Sequence, residues 1–185
     1  MLYTKGGDDG MTKFFGCDQR FSKSSKIAEA LGSLDEINSF LGWCKVKTDS
    51  FFYITISGKD LSFEQIIDNV QQDLFIAQAE IAGADKSIEE ERTLGLENII
   101  DQIEKSVPPI KNFIVPGGTE FAGMLDFART ISRRTERTVV EAKEEGKVKI
   151  SDTTISYLNR LSSLLYALAR YANTKSGVVE EKPTY

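Results

Sequence analysis

The 185-residue sequence contains no histidine. Histidine is the commonest metal ligand in proteins and the commonest general base near neutral pH, so its absence excludes most hydrolase mechanisms. Any chemistry must therefore use arginine, lysine, aspartate or glutamate side chains. We look for sites among those residues.

Cysteine and long apolar runs are also scarce. The chain has two cysteines, Cys17 and Cys44, without CxxC spacing and without an apolar secretory segment before them. We therefore expect neither a disulfide framework nor a zinc site, and we expect a cytoplasmic location. No apolar run approaches the ~20 residues that a membrane span needs. The net charge of -5 argues against a nucleic-acid-binding surface. We expect one soluble domain over residues 1–185.

Apolar residues recur every three or four positions in five segments, which is the spacing of the buried stripe of an amphipathic helix. The pattern predicts helices from 25 to 46, from 63 to 83, from a capping box at Ser87 to the prolines at 108 and 109, from 120 to 146, and around 158–172. Residues 51–60 suggest a short strand or a packed excursion, and residues 178–185 a frayed tail. The prediction is an all-α fold, a left-handed up-and-down bundle of five helices.

The stretch YTKGGDDGMTKFFG, residues 3–16, has little helical tendency and is rich in glycine. It matches neither the P-loop nor the dinucleotide-binding fingerprint. Glycines let successive backbone N–H groups converge on a phosphate, and Lys5 and Thr12 add a positive charge and a hydroxyl. The alternative is an ordinary flexible N-terminus with Asp-Gly turns.

A cationic rail occupies the segment ARTISRRTERTVV, residues 128–140. Its members, Arg129, Arg133 and Arg137, are four residues apart, so each is rotated by only about 40° from the last and all three share one helix face. Glu136 lies on the same side, whereas Arg134 points roughly 100° away. The rail is either a solvated face or an anion site. Like charges at this spacing repel by a few tenths of a kcal/mol per pair, which an anionic partner offsets.

Other polar residues stand near the predicted helix stripes. Asp35 or Glu36, on the first helix, can orient Arg129 by a bidentate pair, or can lie on the surface. Asn159 can bridge two helices or contact a ligand. Phe113 precedes a Pro-Gly-Gly break and is either a core residue or part of a site.

Together, five stretches resemble the PduO-type ATP:cob(I)alamin adenosyltransferases. They are YTKGGDDGMT, RFSKSSKIAEALGSLDEINSFLG, FIVPGG, ARTISRRTERTVV and YLNRLSSLLYALARY, in that order over nearly the whole chain. The resemblance implies a homotrimer of five-helix bundles that binds ATP between subunits. It also implies that residues 1–24 form a loop that wraps the triphosphate, where glycines allow the backbone to approach the phosphates closely.

The resemblance assigns roles to particular residues. It implies a pair between Arg129 and Asp35 across the subunit contact near the corrinoid, and Phe113 at the lower face of the corrin ring, where it displaces the axial base. Arg133, Arg129 and Asp35 are then the catalytic residues. The implied ATP contacts are Thr4, Lys5, Gly6, Gly7, Thr12, Lys23, Arg133, Arg134, Glu136, Arg137 and Asn159.

The implied reaction is attack by Co(I) of cobalamin on the 5′ carbon of ATP, which gives adenosylcobalamin and triphosphate. Mg²⁺ enters through ATP and not through protein ligands, a separate reductase supplies the electron, and an adenosylcobalamin-dependent enzyme is a further implied partner. Two rival interpretations remain: a non-catalytic trimeric carrier or sensor of adenosylcobalamin or ATP, and a purely structural bundle.

The sequence departs from the family pattern in four places. Gly6 stands where the family usually has threonine, and Met11 replaces another typical threonine, so we expect weaker ATP affinity. Asp126 occupies a position that is usually histidine. The segment 51–60 is longer than the usual connection.

Overall fold

The structure is a computed structural model that describes residues 2–3, 5–13, 19–48 and 52–185. These ranges contain five α-helices: α1 Lys26–Val46, α2 Phe63–Ile81, α3 Glu90–Glu104, α4 Glu120–Glu144 and α5 Asp152–Lys175. They also contain two antiparallel hairpins, formed by β1 Met11–Lys13 with β2 Arg20–Ser22 and by β3 Tyr53–Ile56 with β4 Lys59–Ser62. The five predicted helices are confirmed. The fold is mostly helical rather than all-α, because both hairpins contribute small sheets.

The helices pack through the stripes that the sequence predicts. Helix α4 lies between α1 and α5, while α2 packs on α1 and α3 packs on α5. The residues of α4 that its apolar spacing places inward are all buried: Phe121, Leu125, Ala128, Thr135 and Val139. The Thr135 hydroxyl donates to the Ser33 carbonyl at 3.0 Å. A polar group within the α1–α4 contact is therefore satisfied, as burial requires.

The start of α3 differs from the prediction. Ser87 does not cap the helix, which begins at Glu90 after an N-cap residue, Glu89, that has no side-chain capping bond. Ile88 is instead fully buried, and its N–H donates to the Thr154 hydroxyl on α5. Burial of Ile88 keeps the segment extended, so the capping box is not formed. The helix also ends at Glu104, ahead of the prolines.

The predicted excursion after α1 is the β3–β4 hairpin. Ser57 and Gly58, both with positive φ, make its turn, and the Tyr171 hydroxyl donates to the Tyr53 carbonyl at 2.7 Å. Ser62 then forms a complete capping box with Gln65 and starts α2. Within this longer connection, residues 53–62 therefore fold into a hairpin tied to α5.

The expectation of a frayed tail needs correction. Residues 178–185 form no helix or strand. However, the Glu180 carboxylate pairs with Arg170, and the Glu181 carbonyl accepts the Val115 N–H at 2.8 Å. These bonds anchor the first part of the tail to the bundle.

Among the described residues, none of the helices combines the length and the apolar character that crossing a bilayer requires.

Candidate active site

The glycine-rich loop is held in shape by a basic residue that the sequence interpretation did not select. Arg20 on β2 donates to both carboxylate oxygens of Asp9, at 2.9 and 2.8 Å, and to the Gly6 carbonyl at 2.8 Å. The hydrogen bonds from Arg20 hold the pKa of Asp9 below its ordinary value. The Arg20 guanidinium therefore ties Gly6 and Asp9 together within one turn.

The other predicted residues of this loop surround the turn. Lys23 donates from Nζ to the Gly7 carbonyl at 2.8 Å. Thr12 lies opposite Phe21 in the β1–β2 hairpin, and Lys5 is exposed. Thr4 lies outside the described residues. Among the described residues, no ion pair joins this loop to the arginines of α4.

Two of the three arginines of the cationic rail are exposed, while Arg129 is half-buried. Arg133 and Arg137 are both exposed, and Arg137 donates from Nη1 to the Arg133 carbonyl at 3.0 Å. In the described part of the chain, the guanidinium of Arg133 makes no hydrogen bond and no ion pair. A folded helix therefore presents an uncompensated positive charge to solvent, and this group is available to an anion.

The residues beside the rail pair with neighbouring helices. Arg134 pairs with Glu36 of α1. Asn159 of α5 donates from Nδ2 to Glu136 at 2.8 Å and accepts from Arg160 at 3.4 Å. Asn159 thus bridges α4 and α5, which was one of its two predicted roles.

Within one chain, Glu36 of α1 pairs with Arg134, and no ion pair among the described residues joins an acid of α1 to Arg129. Arg129 lies with Nε 3.9 Å from a carboxylate oxygen of Asp126, one turn earlier on the same helix, and its guanidinium lies 5.8 Å from the centre of the Tyr166 ring. Asp35 is exposed and makes no ion pair among the described residues. A pair between Arg129 and Asp35 would need a second chain.

Phe113 is not a core residue. Its side chain is 79% exposed. The segment that carries it, 108–114, faces the tail, 177–182, across an open pocket of about 430 Å³. Of the two alternatives for Phe113, the core position is therefore excluded.

Two ties that the sequence interpretation missed hold this segment in place. Arg170 of α5 donates to the Pro108 carbonyl at 2.7 Å and forms a two-oxygen pair with Glu180. Both members are largely buried, so the pair is shielded from water. One feature of the sequence points to this pair: Arg170 stands within the apolar stripe of α5. A buried cation requires a buried partner. The partner itself, ten residues later in a tail without regular structure, could not be read from helical spacing.

Asp126 and Asn173 contact the Pro-Gly-Gly turn. Asp126 accepts the Gly117 N–H at 2.9 Å, and Asn173 donates to the Gly117 carbonyl at 2.7 Å. Burial raises the pKa of Asp126, which the Gly117 hydrogen bond and the Arg129 charge oppose and the Glu180 charge reinforces. Asp126, at the position where the family usually has histidine, thus anchors the Pro-Gly-Gly turn.

The profile of one protein family, Cobalamin adenosyltransferase, matches residues 2–172. The chain belongs to this family. The match includes the glycine loop, Phe113, the Pro-Gly-Gly turn and the rail, and it ends one residue before Asn173. The family assignment made from sequence motifs is confirmed.

Several members of the cobalamin adenosyltransferase family are similar to the chain over most of its length. The corrinoid adenosyltransferase of Bacillus subtilis is 37% identical and aligns with 96% of this chain and 89% of its own. The corrinoid adenosyltransferase PduO of Citrobacter freundii is 38% identical over 91% of this chain, which spans only about half (49%) of that longer protein. A variant of the PduO-type ATP:corrinoid adenosyltransferase from Lactobacillus reuteri, solved in complex with cobalamin and ATP, superposes with a TM-score of 0.87 at 32% identity. That superposition covers 99% of this chain and 96% of the other.

Proposed function

We propose that the protein transfers the 5′-deoxyadenosyl group of ATP to the Co(I) centre of cob(I)alamin. The electron pair of Co(I) attacks the 5′ carbon, the cobalt–carbon bond forms, and the bond from that carbon to the triphosphate oxygen breaks. Triphosphate leaves with the displaced electrons, and no proton has to move. A protein without histidine is suited to this reaction, because positioning and charge stabilisation are all that it must supply.

The observation that carries the proposal is the free guanidinium of Arg133 on a chain that also holds a pre-folded glycine loop. Negative charge develops on the leaving triphosphate, and fixed cationic donors at that position lower the barrier. Arg133 and Arg137 supply the charge from α4. Lys5, Lys23 and the backbone amides near Gly6 and Gly7 supply further donors. Thr4, Thr12, Arg134, Glu136 and Asn159 complete the proposed ATP contacts.

We place the ATP site between subunits of a homotrimer. The support is an exposed aromatic patch on α1 and α4. Phe40 packs edge-on against Trp43 and Phe127, with ring centres 5.6 and 5.2 Å apart, while Trp43 and Phe127 remain more than half exposed. A second copy would cover this patch and would bring a loop to the rail. A nucleotide-soaked crystal with every loop far from every Arg133 would contradict this arrangement.

The same assembly gives the corrinoid site. Phe113 would meet the lower face of the corrin ring, and Arg129 would pair with the partner's exposed Asp35. The described residues contain no group of three or more carboxylate or thiol side chains placed to hold a metal, and we propose that Mg²⁺ arrives on the phosphate oxygens of ATP. Reduction of cobalamin to Co(I) needs an outside electron, so a separate reductase is a proposed partner, as is an enzyme that uses the product.

One spectroscopic experiment separates the alternatives. The protein is mixed with ATP, Mg²⁺ and chemically reduced cobalamin, and the visible spectrum is followed beside samples without protein or without ATP. Loss of the Co(I) bands with formation of a light-sensitive alkyl product identifies an enzyme. A bound but unchanged corrinoid identifies a carrier or sensor, and no spectral response excludes both.

A further inference from the structure

We propose that Asp126 and Asn173 are positioning residues that clamp the Pro-Gly-Gly turn, residues 116–118, and so fix the segment that presents Phe113 to the corrinoid. The inference rests on the function proposed above. It adds two residues from two different helices to the machinery of that site, and one of them, Asp126, marks a departure of this chain from the family pattern.

Three hydrogen bonds define the clamp. Asp126 of α4 accepts the Gly117 N–H at 2.9 Å. The Asn173 amide, on α5, donates to the Gly117 carbonyl at 2.7 Å and accepts the Thr119 N–H at 3.0 Å. Both peptide groups of the turn's central glycine are thus held by side chains. The turn is fixed relative to the α4–α5 pair, which is the centre of the bundle.

The turn is shaped around the asparagine side chain. Gly117 and Gly118 have φ angles of +123° and +104°, which other residues rarely adopt. A Cβ atom placed on Gly118 would lie 2.3 Å from Oδ1 of Asn173. Asn173 is 5% exposed and Asp126 9% exposed. Any side chain at residue 118 would therefore drive the amide out of a buried position.

The clamp controls Phe113 because the ring has no packing of its own to hold it. Phe113 is largely exposed, so its position depends on the backbone anchors on either side. The nearest anchor is Val115, whose N–H is bound by the tail at Glu181, and the next is the clamped turn. Loss of the clamp should leave the helix core intact and release the aromatic residue. Asp126 also faces Arg129, so one carboxylate contacts both the Pro-Gly-Gly turn and the first arginine of the rail.

The test uses the full chain with Asn173→Ala, Asp126→Ala and Asp126→Asn. Asn98→Ala, an exposed amide on α3, is the matched control. The KM values for cob(I)alamin and for ATP are measured separately. Removal of one such buried bond should raise the KM for cob(I)alamin by about tenfold while the KM for ATP changes by less than about twofold. Asp126→Asn should restore nearly normal values, because its amide oxygen still accepts the Gly117 N–H.

A second readout does not depend on catalysis. Lys111 is exposed and lies in the segment 108–114 that carries Phe113. Trypsin cleavage after Lys111 therefore reports local opening of that segment. Asn173→Ala and Asp126→Ala should be cut faster there than the unaltered protein and the control. Gly118→Ala provides a third route, because its methyl group displaces the Asn173 side chain while Asp126 and Asn173 themselves are not substituted. It should reproduce both effects.

The outcomes are distinguishable. An unaltered protein that fails to convert cob(I)alamin counts against the proposed function, while the cleavage rates still judge the clamp. An active protein whose clamp variants keep a normal KM for cob(I)alamin overturns the positioning role. Equal rises in both KM values, together with a lower Tm, would show that the residues merely stabilise the fold and would also overturn it.

Discussion

Replacement of Arg133 by alanine is the sharpest test of the proposed adenosyl transfer. The side chain is exposed, and its guanidinium has no hydrogen bond or ion pair in the described part of the chain. Surface substitutions of this kind change the free energy of unfolding by about 0.5 kcal/mol or less. Alanine is also the best helix former, so α4 loses nothing in propensity. The folded state should therefore survive unchanged.

The catalytic effect of the same substitution should be far larger. Removal of one preorganised donor from a developing negative charge typically costs about 3 to 4 kcal/mol in the transition state. That energy corresponds to a fall in kcat of roughly 10² to 10³. Arg133→Lys keeps the charge but loses the planar fork, so its activity should lie between that of the unaltered protein and that of Arg133→Ala. Lys149→Ala, which removes another exposed cation, is the control for net charge.

The measurement is the rate at which the Co(I) bands disappear with ATP and Mg²⁺ in excess. Circular dichroism and gel filtration beside it report fold and assembly. Near-normal turnover of Arg133→Ala would refute the reasoning, because the rail would then be ordinary surface charge. Loss of the folded state would refute the premise that Arg133 has no structural partner.

Three further results are expected. Arg20→Ala and Asp9→Ala should each raise the KM for ATP severalfold, and the double variant should do no more than Arg20→Ala alone, because that substitution already removes the pair with Asp9. Additive effects would contradict this. Burial raises the pKa of Asp126, so the folded state keeps that proton to higher pH than the unfolded chain. Stability measured by urea unfolding should therefore fall, relative to Asp126→Asn, as pH rises above about 4, and parallel profiles would be a contradiction. Burial also raises the pKa of the Cys44 thiol to about 12, so in a Cys17→Ser background a thiol reagent at pH 8 should react only after unfolding, and prompt reaction would be a contradiction.

Helical periodicity predicted the five helices well because burial on one face is a local property of the chain. The α4 stripe from Phe121 to Val139 is buried as its spacing indicated. The same method failed at Ser87, where the local capping signal lost to a tertiary requirement, the burial of Ile88 against α5. Local patterns are reliable when the fold does not compete for the same residues.

The same distinction between local patterns and tertiary contacts applies to the candidate site. The sequence indicated which face of α4 carries Arg133 and that Phe113 lies before a break. It did not reveal that Arg20 folds the glycine loop, nor that Glu180 returns to Arg170. Those pairs join residues on different elements, and spacing along one element contains no information about such contacts. They became visible only when the path of the chain was known.

Arg129 shows how the two levels combine. Sequence motifs imply a pair with Asp35 of a neighbouring chain, while the structure places Asp126 of the same chain beside Nε. The two contacts do not exclude each other. A guanidinium has five N–H donors in a planar fork, and the Nε side faces Asp126 while the paired terminal nitrogens remain for a second carboxylate. Asp126 therefore attracts Arg129 from within the same chain without a hydrogen bond to Nε, and the terminal nitrogens stay available to a second carboxylate.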